Sequence, residues 1–364
     1  MFAGIYHGKR VLLTGHTGFK GAWLTLWLHA LGTKVSGYAL APLHAEDLRH
    51  FIPSDVLEHE WIADLRNRDT LTDAIQTAKP DLIMHLAAQP LVRLSYAEPL
   101  ETFSVNAWGT ALLLETIRAT NCRAPIIVVT SDKCYLNQNL GRPFVEDDPL
   151  GGHDVYSMSK AAAELVAAAW HASFFCREPH RGRIATVRAG NVIGGGDYAE
   201  DRILPDCVRA QVTDKAVILR NPDATRPWQH VLECLSGYLS VGQLLMNDPS
   251  SKELLNFNFG PDPESERSVR EIVKAFFEVW PGRWEAHPEP NAVPEATRLT
   301  LCHEKATRLL GWHPVWDFQT ATAATAEWYR ARHTEIGIDM LSFTRNQIMN
   351  YAKQAQKAGL PWTT

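Results

Sequence analysis

The sequence predicts an α/β fold, in which a doubly wound parallel sheet occupies most of the first half and a smaller, irregular lobe follows. Three observations predict this fold. Short apolar runs rich in β-branched residues recur through the first half, helical patterns separate them, and a glycine-rich turn comes directly after the first run. Strands and helices that alternate in this way are typical of a sheet with helices on both faces.

Five segments have the composition of buried strands. Their apolar residues are too continuous for a sheet with one face in water, so we predict parallel strands that are covered on both faces. The five segments are residues 10–14, 33–40, 81–88, 125–131 and 184–190.

Four helices are predicted between and after these strands. Each is a stretch of helical periodicity without an internal proline. They cover residues 21–31, 68–78, 107–120 and 156–175.

The pattern loosens from about residue 190. Segments 220–230 and 281–296 are rich in proline, asparagine and glycine, which is typical of loops. We therefore predict a Rossmann-type domain over residues 1–189, to which about 228–256 returns, and a lobe over most of 190–364. Irregular lobes of this kind usually carry specificity, so we expect this one to bind substrate.

Composition and charge exclude several classes of protein. The chain has 364 residues, of which 45% are hydrophobic, so it can bury a large core. The net charge is −5 and no basic block stands out, so we expect no nucleic-acid partner. The six cysteines show no CxxC pair, which favours neither a metal site nor a disulfide framework. Without a signal-like N-terminus or an apolar run of about 18 residues, we expect no membrane contact and a cytoplasmic location.

The glycine-rich turn reads GHTGFKG, with glycines at 15, 18 and 21. A strand, a tight turn and a helix N-terminus together form a phosphate site, because free N–H groups and the positive end of the helix dipole meet there. Gly15 would allow the turn, Gly18 the approach of a pyrophosphate, and Gly21 the packing of helix on strand. The alternative is a turn that binds no ligand.

The end of the second strand lacks the acid that usually binds the adenosine ribose of NAD, since Tyr38 and Ala39 stand there. No arginine occurs in residues 33–48 to hold a 2′-phosphate, so we predict NAD rather than NADP. Asp64, at the expected end of the third strand, could hydrogen-bond the adenine amine, or it could be a solvated loop residue. The other expected cofactor contacts lie in the turn or after strands: Thr17, Phe19, Leu65, Ala87 and Ala88.

A tyrosine and a lysine are spaced by four residues in YSMSK, where Tyr156 and Lys160 open a helix. Positions i and i+4 share one helix face, so both side chains should point the same way. A nearby ammonium favours phenolate and should lower the pKa of Tyr156, as a base for an alcohol proton requires. Lys160 could also hold the nicotinamide ribose. The alternative is an exposed pair on an amphipathic helix.

An acid and a base follow another predicted strand, in TSDKCY at residues 130–135. Adjacent charges are expensive inside a buried strand, so they should lie beyond its end. Because ligands of open α/β sheets sit outside the carboxyl ends of the strands, we expect Ser131, Asp132 and Lys133 to face Tyr156 across the nicotinamide.

The motifs of the chain, taken in order, resemble the extended short-chain dehydrogenase/reductase family, and within it the 4,6-dehydratases of CDP-glucose. The resemblance extends from about residue 7 to residue 314. Seven motifs carry it: GHTGFKG (15–21), HLAAQPLVRLSY (85–96), NAWGT (106–110), TSDKCY (130–135), YSMSK (156–160), RAGNVIGGGD (188–197) and RPWQHVLE (226–233).

The resemblance implies an NAD-dependent enzyme that acts on a nucleotide sugar, here CDP-glucose. It implies that Ser131 binds the sugar O4, that Tyr156 is the base with Lys160 as its helper, and that Asp132 is an acid. Lys133 stands where the CDP-glucose enzymes also have lysine. Three further residues would hold the nucleotide diphosphate: Asn191, Arg202 and Arg226.

These residues would support a dehydration. Tyr156 would take the C4 hydroxyl proton as hydride passes to NAD, Lys133 would take the C5 proton, and Asp132 would protonate the leaving C6 hydroxyl. Lys133 could instead be a cation that steadies an enolate or pairs with Asp132. Two other functions stay open, a nucleotide-sugar 4-epimerase and a non-catalytic NAD-sensing regulator.

The helices predicted at 107–120 and 156–175 carry apolar residues on more than one face. Relatives pair such helices across a two-fold axis into a four-helix bundle. We therefore expect a homodimer or a dimer of dimers.

Overall fold

The computed structural model describes residues 1–138, 141–177, 183–247, 254–287 and 299–364. Within them, thirteen strands follow one another along the chain: β1 Arg10–Thr14, β2 Lys34–Ala39, β3 Leu57–Ile62, β4 Leu82–His85, β5 Ile126–Val129, β6 Ile184–Arg188, β7 Val192–Ile193, β8 Ala216–Leu219, β9 Thr225–Pro227, β10 Gln229–His230, β11 Leu255–Asn258, β12 Glu266–Ser268 and β13 Arg283–Ala286.

Twelve α-helices are found in the same residues: α1 Phe19–Ala30, α2 Arg68–Ala78, α3 Val92–Ala97, α4 Pro99–Phe103, α5 Gly109–Ala119, α6 Val155–Trp170, α7 Ile203–Val212, α8 Val231–Asn247, α9 Val269–Val279, α10 Glu304–Leu310, α11 Phe318–Thr334 and α12 Met340–Lys357. No helix of the described residues is both long and apolar enough to cross a membrane.

The central sheet has seven parallel strands in the order β11-β6-β5-β4-β1-β2-β3. Strands β2 and β3 extend the sheet on one side of β1, whereas β4, β5, β6 and β11 extend it on the other side. The helices that follow β1 and β4 therefore diverge, and they leave a crevice at the carboxyl ends of these two strands. The predicted Rossmann-type sheet is confirmed.

The five predicted strands are present, but most are shorter than the apolar segments that predicted them. β3 ends just before Asp64, as expected, although its sequence LEHEWI has no apolar run. Its middle residues are exposed because β3 is an edge strand. β11, the other edge strand, reads LNFN and lacks β-branched residues, so the sequence pattern did not indicate it.

The four predicted helices are also present, and one of them is part of a longer helical segment. α4 leads through a π-helical turn, Ser104–Trp108, directly into α5. Within this turn the Asn106 amide donates to the Gln89 carbonyl oxygen and to Ser159 Oγ, at 3.0 and 2.9 Å. A π-helical turn contains one inserted residue, which changes the direction of the neighbouring side chains.

The C-terminal part packs on the sheet through small sheets and helices. β9 pairs with β12, β7 with β10, and β8 with β13. The two ends of the chain meet, since Phe2 stacks on Trp362 with ring centroids 5.2 Å apart, and Trp27 of α1 contacts Tyr351 of α12 edge-on. The C-terminal helices thus pack against α1 and help to fix the position of the glycine-rich turn that precedes it.

Candidate active site

The glycine-rich turn joins β1 to α1 and needs glycine at two positions. Gly15 has φ +78°, and a Cβ there would lie 2.7 Å from the Ala87 nitrogen. A Cβ on Gly21 would lie 2.0 Å from the Gly15 carbonyl oxygen, so only glycine lets the helix pack this closely. At Gly18 a Cβ would meet only the Gly15 oxygen, at 3.5 Å.

The N-terminus of α1 is open to an anion. Gly18 caps this helix without a side-chain hydrogen bond, and its first turn contains no acid. Its first N–H groups and its positive end therefore have no compensating side chain. The turn fits the pyrophosphate of a dinucleotide, because it combines these groups with free space above Gly18.

The other expected cofactor contacts surround this turn. Thr17 Oγ1 donates to the Leu40 carbonyl oxygen at 2.8 Å and so ties the turn to the end of β2. Ala87 donates from its nitrogen to Thr14 Oγ1 at 3.3 Å, and Ala88 follows it beyond β4. Phe19 opens α1 with its ring next to Gly194. These contacts place Thr17, Phe19 and Ala87 next to the turn, and Ala88 is the next residue of the chain.

Asp64 and Leu65 lie farther along the same edge, after β3. Both oxygens of the Asp64 carboxylate accept hydrogen bonds from Arg66, at 2.6 to 2.9 Å, and this guanidinium lowers the pKa of Asp64. Leu65 packs on Gly109. The Tyr38 hydroxyl donates to the Asp64 carbonyl oxygen at 2.7 Å, so Tyr38 braces this loop. A contact of Asp64 with the adenine amine stays a prediction, in which Arg66 competes for the carboxylate.

The charged doublet lies just beyond the end of β5. Ser131 caps a short 3-10 turn, Asp132–Cys134, by accepting from the Lys133 nitrogen at 3.2 Å, and its hydroxyl donates to Asp132 Oδ1 at 2.7 Å. Asn191 Nδ2 donates to Asp132 Oδ2 at 3.3 Å. A Cβ on Gly190 would collide with this carboxylate at 2.0 Å. The Asp132 carboxyl, only 2% exposed, is thus held on both oxygens.

Lys133 does not neutralise its neighbour. Within the described residues no ion pair joins Lys133 to Asp132, and the Lys133 side chain is half-buried. The possibility that the two form a salt bridge therefore finds no support in the geometry.

Tyr156 opens α6 and faces the doublet. Asp154 caps this helix by accepting from the Ser157 nitrogen, which fixes the first turn. The Tyr156 phenol is buried, and Ser131 lies close enough to it to affect its pKa. The structure thus brings together the strand end at 131–132 and the helix start at 156, as the sequence predicted.

The pKa of Tyr156 is raised to about 12, first by burial and then by the charge of Asp132. The neighbouring Ser131 hydroxyl and the charge of Arg202 lower the pKa, but they do not outweigh burial. The expected lowering of the pKa is therefore not found, because the sequence does not show how deeply the phenol is buried.

Lys160 lies one helical turn after Tyr156, and its ammonium is buried at the end of β5. It donates to the Val129 carbonyl oxygen at 3.4 Å, which is long for a charged donor. Burial, and next the charge of Lys20, lower its pKa to about 8. An exposed Tyr–Lys pair on an amphipathic helix is excluded.

A buried ion pair beneath these residues was not predicted. Glu164, on the same helix face as Lys160, binds Arg188 Nε and Nη2 at 2.9 Å and accepts from Thr130 and Thr186. Arg188 also donates to the Tyr135 hydroxyl at 2.6 Å. The signal was present in the sequence, since Glu164 continues the i+4 series of polar residues in an otherwise apolar helix.

The three residues expected to bind the substrate diphosphate make different contacts in the structure. Asn191 contacts Asp132. Arg202 Nη1 binds Asp197 Oδ2 at 2.6 Å, near enough to Tyr156 to affect its pKa. Arg226 lies on β9, opposite Arg267 of β12.

Comparisons with known proteins agree with this geometry. The sequence profile described as GDP-mannose 4,6 dehydratase matches residues 12–325. The chain is 43% identical over 355 residues to CDP-glucose 4,6-dehydratase of Salmonella typhimurium, which covers 95% of this chain and 97% of the relative.

Solved structures share the fold. MoeE5 in complex with UDP-glucuronic acid and NAD has a TM-score of 0.73 at 23% identity, covering 88% of this chain and 99% of its own. The epimerase Mth375 of Methanothermobacter thermautotrophicus has a TM-score of 0.77 at 22% identity, covering 92% and 96%. At these identities the likeness establishes the architecture.

Proposed function

The chain belongs to the GDP-mannose 4,6-dehydratase family of extended short-chain dehydrogenases/reductases, and on that premise we propose that it converts CDP-D-glucose to CDP-4-keto-6-deoxy-D-glucose. The observation that carries this proposal is the juxtaposition of Asp132, held on both oxygens, with the phenol of Tyr156. A plain oxidation at C4 needs the phenol alone. The acid beside it is what a loss of water requires. The 43% identity to the Salmonella CDP-glucose enzyme supports the choice of substrate.

The cofactor of this reaction is NAD, held by the turn at Gly15, Gly18 and Gly21 and by the N-terminus of α1. When bound, NAD would supply reversible hydride transfer between C4 and C6 of the sugar, and its oxidised ring would supply positive charge. Lys160 holds the nicotinamide ribose in this proposal. The rest of the NAD molecule contacts the other expected cofactor-binding residues, among them Asp64, Leu65 and Ala87.

Tyr156 is the base that receives the C4 hydroxyl proton, and Ser131 binds the same oxygen. Ser131 and Arg202 both favour the phenolate, yet burial keeps the pKa of Tyr156 at about 12. In the protein alone the phenol therefore holds its proton at neutral pH. The reaction requires more positive charge beside the phenol than the described residues provide.

Asp132 and Lys133 carry out the elimination. Asp132 protonates the C6 hydroxyl as it leaves, and Lys133 removes the C5 proton that the new ketone has made acidic. A proton is returned to C5 when the hydride is added to C6, which completes the 4-keto-6-deoxy product. The absence of an ion pair between them, in the part of the chain that the structure describes, supports this division of roles. Asn191 positions the Asp132 carboxyl and has a second amide hydrogen for the substrate.

The C-terminal lobe binds the nucleotide part in this proposal. Arg202 and Arg226 neutralise the diphosphate, for which planar guanidinium groups are well suited. Arg202 Nη1 contacts Asp197 Oδ2 at 2.6 Å, so the guanidinium group is oriented before the substrate binds.

The proposed reaction is tested by mass. We expect incubation with CDP-glucose to give a product lighter by one water, and dTDP-glucose and GDP-mannose to react much more slowly. A 4-epimerase would return a product of unchanged mass, which would refute the dehydration. No turnover of any of the three, together with retained NAD binding, would favour a non-catalytic NAD sensor.

We also propose that the protein works in the cytoplasm as a homodimer. Large apolar side chains are exposed along α4, the π-helical turn and α6, among them Leu100 at 82%, Trp108 at 57% and Leu165 at 60%. Exposed apolar side chains on neighbouring helical segments are what a paired-helix interface requires. Light scattering should report twice the mass of the chain for the wild type and a smaller mass for Leu165→Glu. A wild type that is monomeric at micromolar concentration would refute the dimer.

A further inference from the structure

Lys20 lies within the glycine-rich turn, and its side chain points inward. It belongs to the first turn of α1, and its ammonium donates to the Tyr238 hydroxyl at 3.5 Å. The same ammonium is 5.9 Å from the centroid of the Tyr238 ring. Tyr238 belongs to α8 and is fully buried. Lys20 is therefore directed along the carboxyl edge of the sheet.

The charge of Lys20 is poorly placed for the protein alone. A cation in the first turn of a helix opposes the positive end of the helix dipole. Lys160 lies close enough for the charge of Lys20 to be the second cause, after burial, that lowers the pKa of Lys160 to about 8. Neither lysine is within ion-pair distance of a carboxylate in the described residues. Two ammonium groups and a helix N-terminus thus face one region, and no carboxylate of the described residues forms an ion pair with either ammonium.

We infer that Lys20 is a further cofactor-binding residue, whose ammonium neutralises the pyrophosphate of the dinucleotide at the N-terminus of α1. The inference rests on the proposed NAD dependence and adds a residue that the motif spacing alone does not assign. A pyrophosphate carries two negative charges, so it removes the repulsion between Lys20 and Lys160 and compensates the helix end at once. Cofactor binding then also makes it easier for Lys160 to keep its proton.

The test is equilibrium binding of NAD, followed by calorimetry, to the wild type and three variants. Lys20→Met should weaken binding about 10- to 100-fold, the range for one hydrogen bond to a charged group. Lys20→Arg keeps the charge and should stay within about threefold of the wild type. The matched control is Lys34→Met, since Lys34 is exposed and only 3.5 Å from Glu58 on the neighbouring strand, and its binding should be unchanged.

Two further readouts separate binding from structure. ADP-ribose, which keeps the pyrophosphate but lacks nicotinamide, should lose as much affinity for Lys20→Met as NAD does. The unfolding midpoint of Lys20→Met without cofactor should equal or exceed that of the wild type, because an unfavourable charge has been removed.

Each other outcome overturns the inference. Unchanged NAD affinity in Lys20→Met would remove Lys20 from the site while leaving the proposed function intact. A loss for NAD but not for ADP-ribose would place Lys20 at the nicotinamide, and a lowered unfolding midpoint would make it a structural residue. A wild type that binds no dinucleotide would overturn the inference and the proposed function together.

Discussion

Replacing Glu164 by glutamine should unfold the protein far more readily than any exposed acid-to-amide change. Glu164 and Arg188 are 3% and 2% exposed in their side chains, and they meet at 2.9 Å. Glutamine has nearly the same shape, but its amide nitrogen cannot accept from Thr130, Thr186 or Arg188. The variant therefore leaves a buried guanidinium without its counter-charge.

The magnitude follows from that burial. Removing one partner of a buried pair costs about 3–5 kcal/mol, because the remaining charge stays desolvated. The control is Asp214→Asn, whose carboxylate meets Arg283 at 3.0 Å with side chains 98% and 67% exposed. An exposed pair contributes about 0–1 kcal/mol, so this variant should be close to the wild type. Asparagine also tolerates the left-handed backbone of Asp214, φ +49°.

The assay is urea unfolding followed by tryptophan fluorescence, after reversibility has been verified, at several pH values. The pairing with Arg188 and the hydrogen bonds from both threonines outweigh burial and lower the pKa of Glu164. Its contribution is therefore complete above the unfolded pKa of about 4.3, and it is lost as pH falls toward the lower folded pKa. The difference between the wild type and Glu164→Gln should shrink below about pH 4. A cost under about 1 kcal/mol at neutral pH, or a difference that grows on acidification, would refute this reasoning.

Three further predictions concern the reaction. Lys133→Met should still oxidise CDP-glucose at C4 but should incorporate no deuterium at C5 from heavy water, as seen by NMR; unchanged incorporation would remove Lys133 as the base. Tyr156→Phe should lower kcat about 10²- to 10⁴-fold with little change in KM, measured by product formation, and a change in KM alone would count against proton transfer. Gly18→Ala should leave the unfolding midpoint unchanged, because the added Cβ meets only the Gly15 oxygen, at 3.5 Å. The same variant should weaken NAD binding at least about tenfold, since the Cβ occupies the space that the pyrophosphate needs. Equal NAD affinity would show that the pyrophosphate does not approach Gly18.

The sequence determined the parts of this protein that obey local rules. The alternation of strands and helices, the glycines at 15 and 21 and the shared face of Tyr156 and Lys160 follow from backbone geometry within a few residues. Strand ends and helix starts also indicated the edge of the sheet at which Asp132 lies. The edge strand β11 was not indicated, because its pairing with β6, rather than its own residues, stabilises it.

Only the tertiary structure decided which distant groups meet and how deeply they are buried. Asn191 holds Asp132 across 59 residues, Lys20 reaches Tyr238 across 218, and Arg188 meets Glu164 beneath the strand end. For the same reason the pKa of Tyr156 is raised, whereas the sequence predicted that it would be lowered. Spacing in the sequence fixes which side of a helix a residue occupies, but desolvation and charge depend on the segments that pack over that side, and these come from elsewhere in the chain.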